Sequence, residues 1–199
     1  MTLQLSIAFE TAVHHGSGFG LAGVVDRAAL RDAKGLPYLA GSALKGKFRY
    51  GVLRILRSQG QGCGPPDREY CKAAPWCGLC RIFGSPMHPG EAVFEDAYPC
   101  ERDLLEAAIQ GGRNAAHSPE AQVRTTTAID RHSRTVRPQH LFSTETIASF
   151  VRFECVVSGG LEEEDAALLR QCAQVLTNFG SDSSRGLGFC RYELAEAEG

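Results

Sequence analysis

The sequence predicts an α+β fold, a ferredoxin-like β-α-β-β-α-β domain carrying large insertions. Three observations predict it. The chain opens on a strand followed by a helix. It closes on a strand, a helix and a strand. Its middle lacks the periodicity that a second core would need. With 199 residues the chain suits one domain, 1–199, with insertions over 59–90 and 122–142.

The elements follow in order. Leu3, Leu5, Ile7 and Phe9 alternate with polar residues, so 2–10 is a half-buried strand. Residues 14–35 are glycine-rich and read as a loop with a short extended piece at Gly23–Val25. A basic helix is expected over 42–58, with Leu44, Phe48, Val52, Ile55 and Leu56 at helical spacing. Glu91–Ala97 suits a short strand and Asp103–Ile109 a short helix. Residues 110–120 read as an exposed loop, and the polar, Thr-rich, basic stretch 122–142 suits a projecting hairpin. Ser149–Val157 alternates as a strand. Leu161–Asn178 is helical, with a core face of Leu168, Leu169, Cys172 and Leu176 and with Glu162 to Asp165 near its start, where the helix dipole favours acids. Gly180–Gly188 is a turn, and Phe189–Leu194 a last strand.

The formal net charge of −2 excludes a generally sticky polycation. Cations instead concentrate at 45–57 and 124–137, which suits a specific groove. No apolar run is long enough to span a bilayer and no signal peptide opens the chain, so a cytoplasmic protein without a membrane is expected. Ser42 reads as the natural N-cap of the basic helix, and its first turn, with Lys45, as a phosphate site. The competing interpretation is an ordinary amphipathic helix with a solvated basic face.

Cys63, Cys71, Cys77 and Cys80 crowd one segment, CGPPDREYCKAAPWCGLC. Four thiolates close a tetrahedral Zn²⁺ site, and such a closed site is structural. Two disulfides or free thiols are the alternatives, disfavoured in a reducing compartment. Cys100, Cys155, Cys172 and Cys190 are scattered and read as small buried hydrophobes. The segment FGSDSSRGLGF offers Ser183, Ser184 and Arg185 to phosphates. It is neither a Walker loop nor a dinucleotide fingerprint, because it follows a helix, and a plain tight turn is the alternative.

Three segments coincide: LPYLAGSALKGKFR, VRTTTAIDRHSRTVRPQHLFSTETI and FGSDSSRGLGF. Together they resemble the RAMP superfamily of CRISPR-associated proteins, and more closely the backbone subunit of type III effector complexes. The resemblance covers nearly the whole chain. It implies an RRM-like palm with a zinc-binding insertion and a thumb hairpin at about Ala128–Leu141. It implies guide RNA, target RNA, further copies of the chain and other CRISPR effector subunits as partners. Subunits of this kind stack along guide RNA and cut target RNA at regular intervals. The cutting acid matched by position is Asp26, with Asp32 as runner-up. A Mg²⁺ or other divalent ion would be held weakly, mainly by RNA oxygens. His14, His15 and His132 are candidate proton-transfer partners. Guide phosphates would meet Ser42, Lys45, Lys47 and Arg49. Arg124, Arg131, Arg134 and Arg137 would line the thumb and its base, and Ser183, Ser184 and Arg185 would add an RNA-backbone contact. The hairpin tip RHSRTVRP departs from the family by lacking a glycine turn. Three other functions fit the same residues: a non-catalytic backbone subunit, a standalone endoribonuclease that processes guide precursors by metal-free histidine chemistry, and a zinc-stapled interaction domain. Loss of cutting in Asp26→Ala, activity in EDTA and absence of salt-dependent RNA affinity separate them.

Overall fold

The computed structural model of the protein describes residues 1–20, 25–61, 63, 70–111 and 120–197. Most of the expected piece at Gly23–Val25 and most of the expected loop at 110–120 therefore lie outside the described residues. Strand β1 (Leu3–Phe9) buries Leu3, Leu5, Ile7 and Phe9, as the alternation predicts. Helix α1 (Gly41–Ser58) buries Leu44, Phe48, Val52, Ile55 and Leu56. A short helix α2 (Gly78–Phe83) follows the cysteine segment, then strands β2 (Ala92–Phe94) and β3 (Tyr98–Pro99) and helix α3 (Arg102–Gly111). Strands β4 (Ala121–Ile129) and β5 (Val136–Ile147) form a separate two-stranded hairpin. Strand β6 (Arg152–Gly159), helix α4 (Glu163–Val175) and strand β7 (Cys190–Glu196) complete the chain.

The main sheet runs β2-β6-β1-β7, with β3 also on β6, and every pair is antiparallel. Leu5 sits at its centre, opposite Cys155 on one side and Leu194 on the other. One face meets α1 and α4, whose Phe48, Val52, Leu169 and Cys172 pack on Leu3, Ile7, Phe153 and Tyr192. Burial of each such side chain contributes about 1.5–3 kcal/mol. Gly51 lets the helices approach: a Cβ there would lie 2.4 Å from Cys172 Sγ.

Several boundaries differ from expectation. Strand β6 begins at Arg152 rather than Ser149, because Val151 N–H bonds back to Ala148 C=O in the turn after β5. Helix α4 starts at Glu163, with Glu162 and Asp165 forming a reciprocal capping box, and stops before Leu176, which is extended. Cys155, Cys172 and Cys190 are buried as expected, but Cys100 is exposed beside α3. Among the described residues no helix is long and apolar enough to cross a membrane.

Candidate functional site

The hairpin base and two loops converge on Arg27. Strand β5 ends in Ser143 to Ile147, and Val13 and residues 26–31 run alongside it. Val13 bridges Ile147 and Arg27 bridges Thr144. The N–H groups of Asp26 and Arg27 reach Ser143 C=O at 3.0 and 3.1 Å, and Glu145 N–H reaches Arg27 C=O at 2.9 Å. Asp26 is exposed. Its Oδ2 accepts the N–H of Ser143 at 2.7 Å and the hydroxyl at 2.9 Å. Those bonds, the backbone one first, hold its carboxyl below the usual carboxylate range, so it is a carboxylate at neutral pH.

Arg27 donates to Asp182 at 2.7 Å and to Ser181 at 3.0 Å, tying this segment to the glycine-rich loop. Asp182 is left-handed and also pairs with Arg185 at 3.1 Å. Gly188 is left-handed as well, and a Cβ there would lie 1.9 Å from Phe179 O, so only glycine fits. Three adjoining clefts share Arg27. The first, about 350 Å³, is lined by His14, Phe19 and Asp26 among others. The second and third are lined by Thr126, Thr144 and Arg185, with Arg124 in the smaller. Arginines 27, 124 and 185 thus face common space beside Asp26.

Beneath this surface lies a buried charged network. Arg31 donates to Glu145 Oε1 at 3.1 and 2.6 Å, to Glu120 Oε1 at 2.9 Å and to Gly35 C=O at 2.6 Å. Ala29 N–H donates to Glu145 Oε2 at 2.9 Å. Glu120 is fully buried at the entry to β4, and its Oε2 has no partner among the described residues.

The basic helix corrects an expectation. Ser42 is not its N-cap: the helix starts at Gly41 after Ala40, and no side chain of the cap residue closes it. The entering N–H groups already have acceptors, His15 Nε2 for Ala40 at 3.2 Å and Asp96 Oδ1 for Gly41 at 2.7 Å. A Cβ at Gly41 would strike Phe94 O. Lys45 donates to Ala92 C=O at 2.7 Å, Lys47 to Asn178 at 2.5 Å and Arg49 to Gly84 C=O at 2.8 Å. None of the three lines the clefts around Arg27.

Asp32 serves its own loop, its Oδ1 accepting the N–H groups of Lys34 and Leu36 at 2.9 Å. His14 is buried, with Nδ1 bonded to Glu145 C=O at 2.7 Å, so that nitrogen carries the proton. Burial pushes the pKa of both His14 and His15 down. His132 lies at the hairpin tip, where Asp130 Oδ1 accepts the N–H groups of His132 and Ser133. Arg134 takes the left-handed conformation in place of a glycine. Arg137 pairs with Asp130 at 3.7 Å. Val123, Ile129, Val136, Leu141 and Phe142 are exposed along the hairpin, as is Arg131.

The sulfurs of Cys63, Cys71, Cys77 and Cys80 lie within 4.8 Å of one another, a cluster that can hold one metal ion. Cys63 Sγ sits 3.3, 3.4 and 3.8 Å from the sulfurs of Cys80, Cys77 and Cys71, well beyond the roughly 2.05 Å of a disulfide. Burial and the hydrogen bonds within the cluster divide the thiols, pushing Cys77 down and Cys63 and Cys80 up. Four sulfurs this close fit a thiophilic ion. Helix α2 is fastened to α4 through Arg81, which grips the fully buried Asp165 at 2.8 to 3.0 Å.

These features define a class: an antiparallel-sheet domain with a cysteine centre and a cation-lined cleft under a projecting hairpin. The chain belongs to the RAMP superfamily, whose family model matches residues 6–191. Its fold is similar to a chain of the Type III-B Cmr-beta complex bound to cognate target RNA, solved by cryo-electron microscopy. That match has a TM-score of 0.67 and 13% identity, covering 98% of this chain and 97% of that one. A chain of the same complex in its apo state matches with TM-score 0.66 and 15% identity over the same shares. No curated protein matches.

Proposed function

We propose that this chain is the guide-RNA-binding backbone subunit of a type III CRISPR effector complex and that it cuts target RNA beside Asp26. One observation carries this reading: Asp26 and arginines 27, 124 and 185 converge on adjoining clefts at the base of a projecting hairpin. The sheet order supports a ferredoxin-like, RRM-like palm, and the hairpin a thumb. The similar Cmr-beta chain comes from a complex with target RNA, which supports RNA as the occupant here. Guide RNA, target RNA, further copies of the chain and other effector subunits are its proposed partners, in the cytoplasm.

The chemistry follows from the groups present. In RNA cleavage by transesterification, the 2′-oxygen attacks the adjacent 3′-phosphorus as the P–O5′ bond breaks and water protonates the departing 5′-oxygen, leaving a 2′,3′-cyclic phosphate and a 5′-hydroxyl. Asp26, ionised at neutral pH, can orient the 2′-hydroxyl and accept its proton. Arg27 can hold a phosphate oxygen. A Mg²⁺ ion, held mainly by RNA oxygens, would supply further charge neutralisation at the phosphate. The cysteine centre would hold structural Zn²⁺, with its four thiolates filled by protein and no open position for chemistry.

Arginine substitution tests the groove. Arg27→Ala, Arg124→Ala and Arg185→Ala should each weaken single-stranded RNA binding and reduce the slope of log affinity against log salt by about 0.7 per lost phosphate contact. Titration by fluorescence anisotropy at several salt concentrations measures it. Unchanged slopes in all three variants would contradict the groove.

A further inference from the structure

Ser143 and Glu145 stand two residues apart on β5 and so share one face of the strand. Ser143 grips the Asp26 carboxylate through its N–H and hydroxyl. Glu145 grips the same segment three and five residues further on. Its Oε2 accepts Ala29 N–H at 2.9 Å, while its Oε1 accepts both Arg31 bonds. Arg31 in turn reaches Glu120 at the entry to β4. Residues 26–31 are thus clamped at two points to β5 and, through Arg31, to the start of the partner strand. A buried network with good geometry holds one arrangement strongly and tolerates the loss of a partner badly.

We propose that Glu145 is a positioning residue for Asp26: its two-armed carboxylate fixes segment 26–31 to the hairpin base, so that the hairpin's placement on RNA sets the placement of the acid. The catalytic half of this inference rests on the function proposed above; the mechanical half does not. Both oxygens are needed, since one faces an N–H and the other a guanidinium. Glutamine keeps the size but can offer an acceptor to only one of them. Among the described residues the bonded oxygen of Glu120 is Oε1 alone, so Glu120→Gln keeps its contact with Arg31.

The first readout needs no activity. Amide hydrogen exchange of the full chain, followed by NMR, should show exchange at Arg27 and Ala29 faster by about tenfold in Glu145→Gln, with β1, β6 and β7 unchanged. Glu120→Gln should match wild type. The second readout is single-turnover cleavage in the assembled complex. Glu145→Gln should cut about tenfold more slowly or worse while binding RNA as wild type does. Unchanged exchange in Glu145→Gln overturns the clamp, and so does an equal effect in Glu120→Gln, which would make buried charge the cause. If wild-type complex binds but does not cut, the proposed chemistry fails while the exchange data still decide the clamp. Faster exchange in Glu145→Gln paired with wild-type cutting overturns the positioning role.

Discussion

Asp26 owes its low pKa to Ser143, a residue 117 positions away in the chain. A carboxyl whose folded pKa is depressed contributes stability above its unfolded pKa and loses it as pH falls through the folded value. Ser143→Ala removes the hydroxyl arm and leaves the backbone N–H, so the Asp26 pKa should rise part-way toward the usual range near 3.9. Carboxyl-carbon NMR titration measures this, and the acid limb of cleavage should move to higher pH with it. A titration identical to wild type would show that the hydroxyl plays no part. At this scale the sequence was partly legible. The four cysteines stand within one short segment, so their spacing showed them. Arg27, Glu145 and Glu120 carried no local signal, because their partners lie far off in the chain. Ser42 misled for a related reason: the donors it was expected to satisfy are met by His15 and Asp96, which no local pattern places there.

Among the elements, the strands and helices with clear period followed the sequence closely. Strand β1 and helix α1 match because their apolar residues recur without interruption. Helix α2 and strand β3, with six and two residues, are too short to show a period. Helix α2 is held by tertiary contacts, chiefly Arg81 on Asp165. Arg81→Ala leaves that carboxylate buried with its guanidinium partner gone and should cost about 3 kcal/mol, read from the urea midpoint. A loss within the range of surface substitutions would contradict a structural role for the pair. The cysteine centre makes a second prediction. Purified protein should contain one zinc per chain by elemental analysis, and a strong chelator should lower the thermal midpoint. Metal-free protein with an unchanged midpoint would make the four residues plain thiols.

For the whole molecule, the antiparallel sheet with two helices on one face leaves the hairpin outside the core, where most of its residues are exposed. That division assigns stability to the sheet and, under the proposed function, leaves the hairpin and the loops at its base for recognition. The mixed strand-and-helix class was legible because the order of elements constrains the sheet. The cleft was less so, because residues 14–19 and 26–28, the hairpin 121–147 and the turn 180–188 meet only after folding. We propose that this RAMP protein is a backbone subunit that cuts RNA beside Asp26. The most direct test is cleavage of a labelled RNA complementary to the guide by the assembled complex with Mg²⁺, comparing wild type with Asp26→Ala. The account predicts regularly spaced products that vanish in the variant while RNA binding is retained. Equal cutting by both, or tight binding without cutting by either, would contradict it.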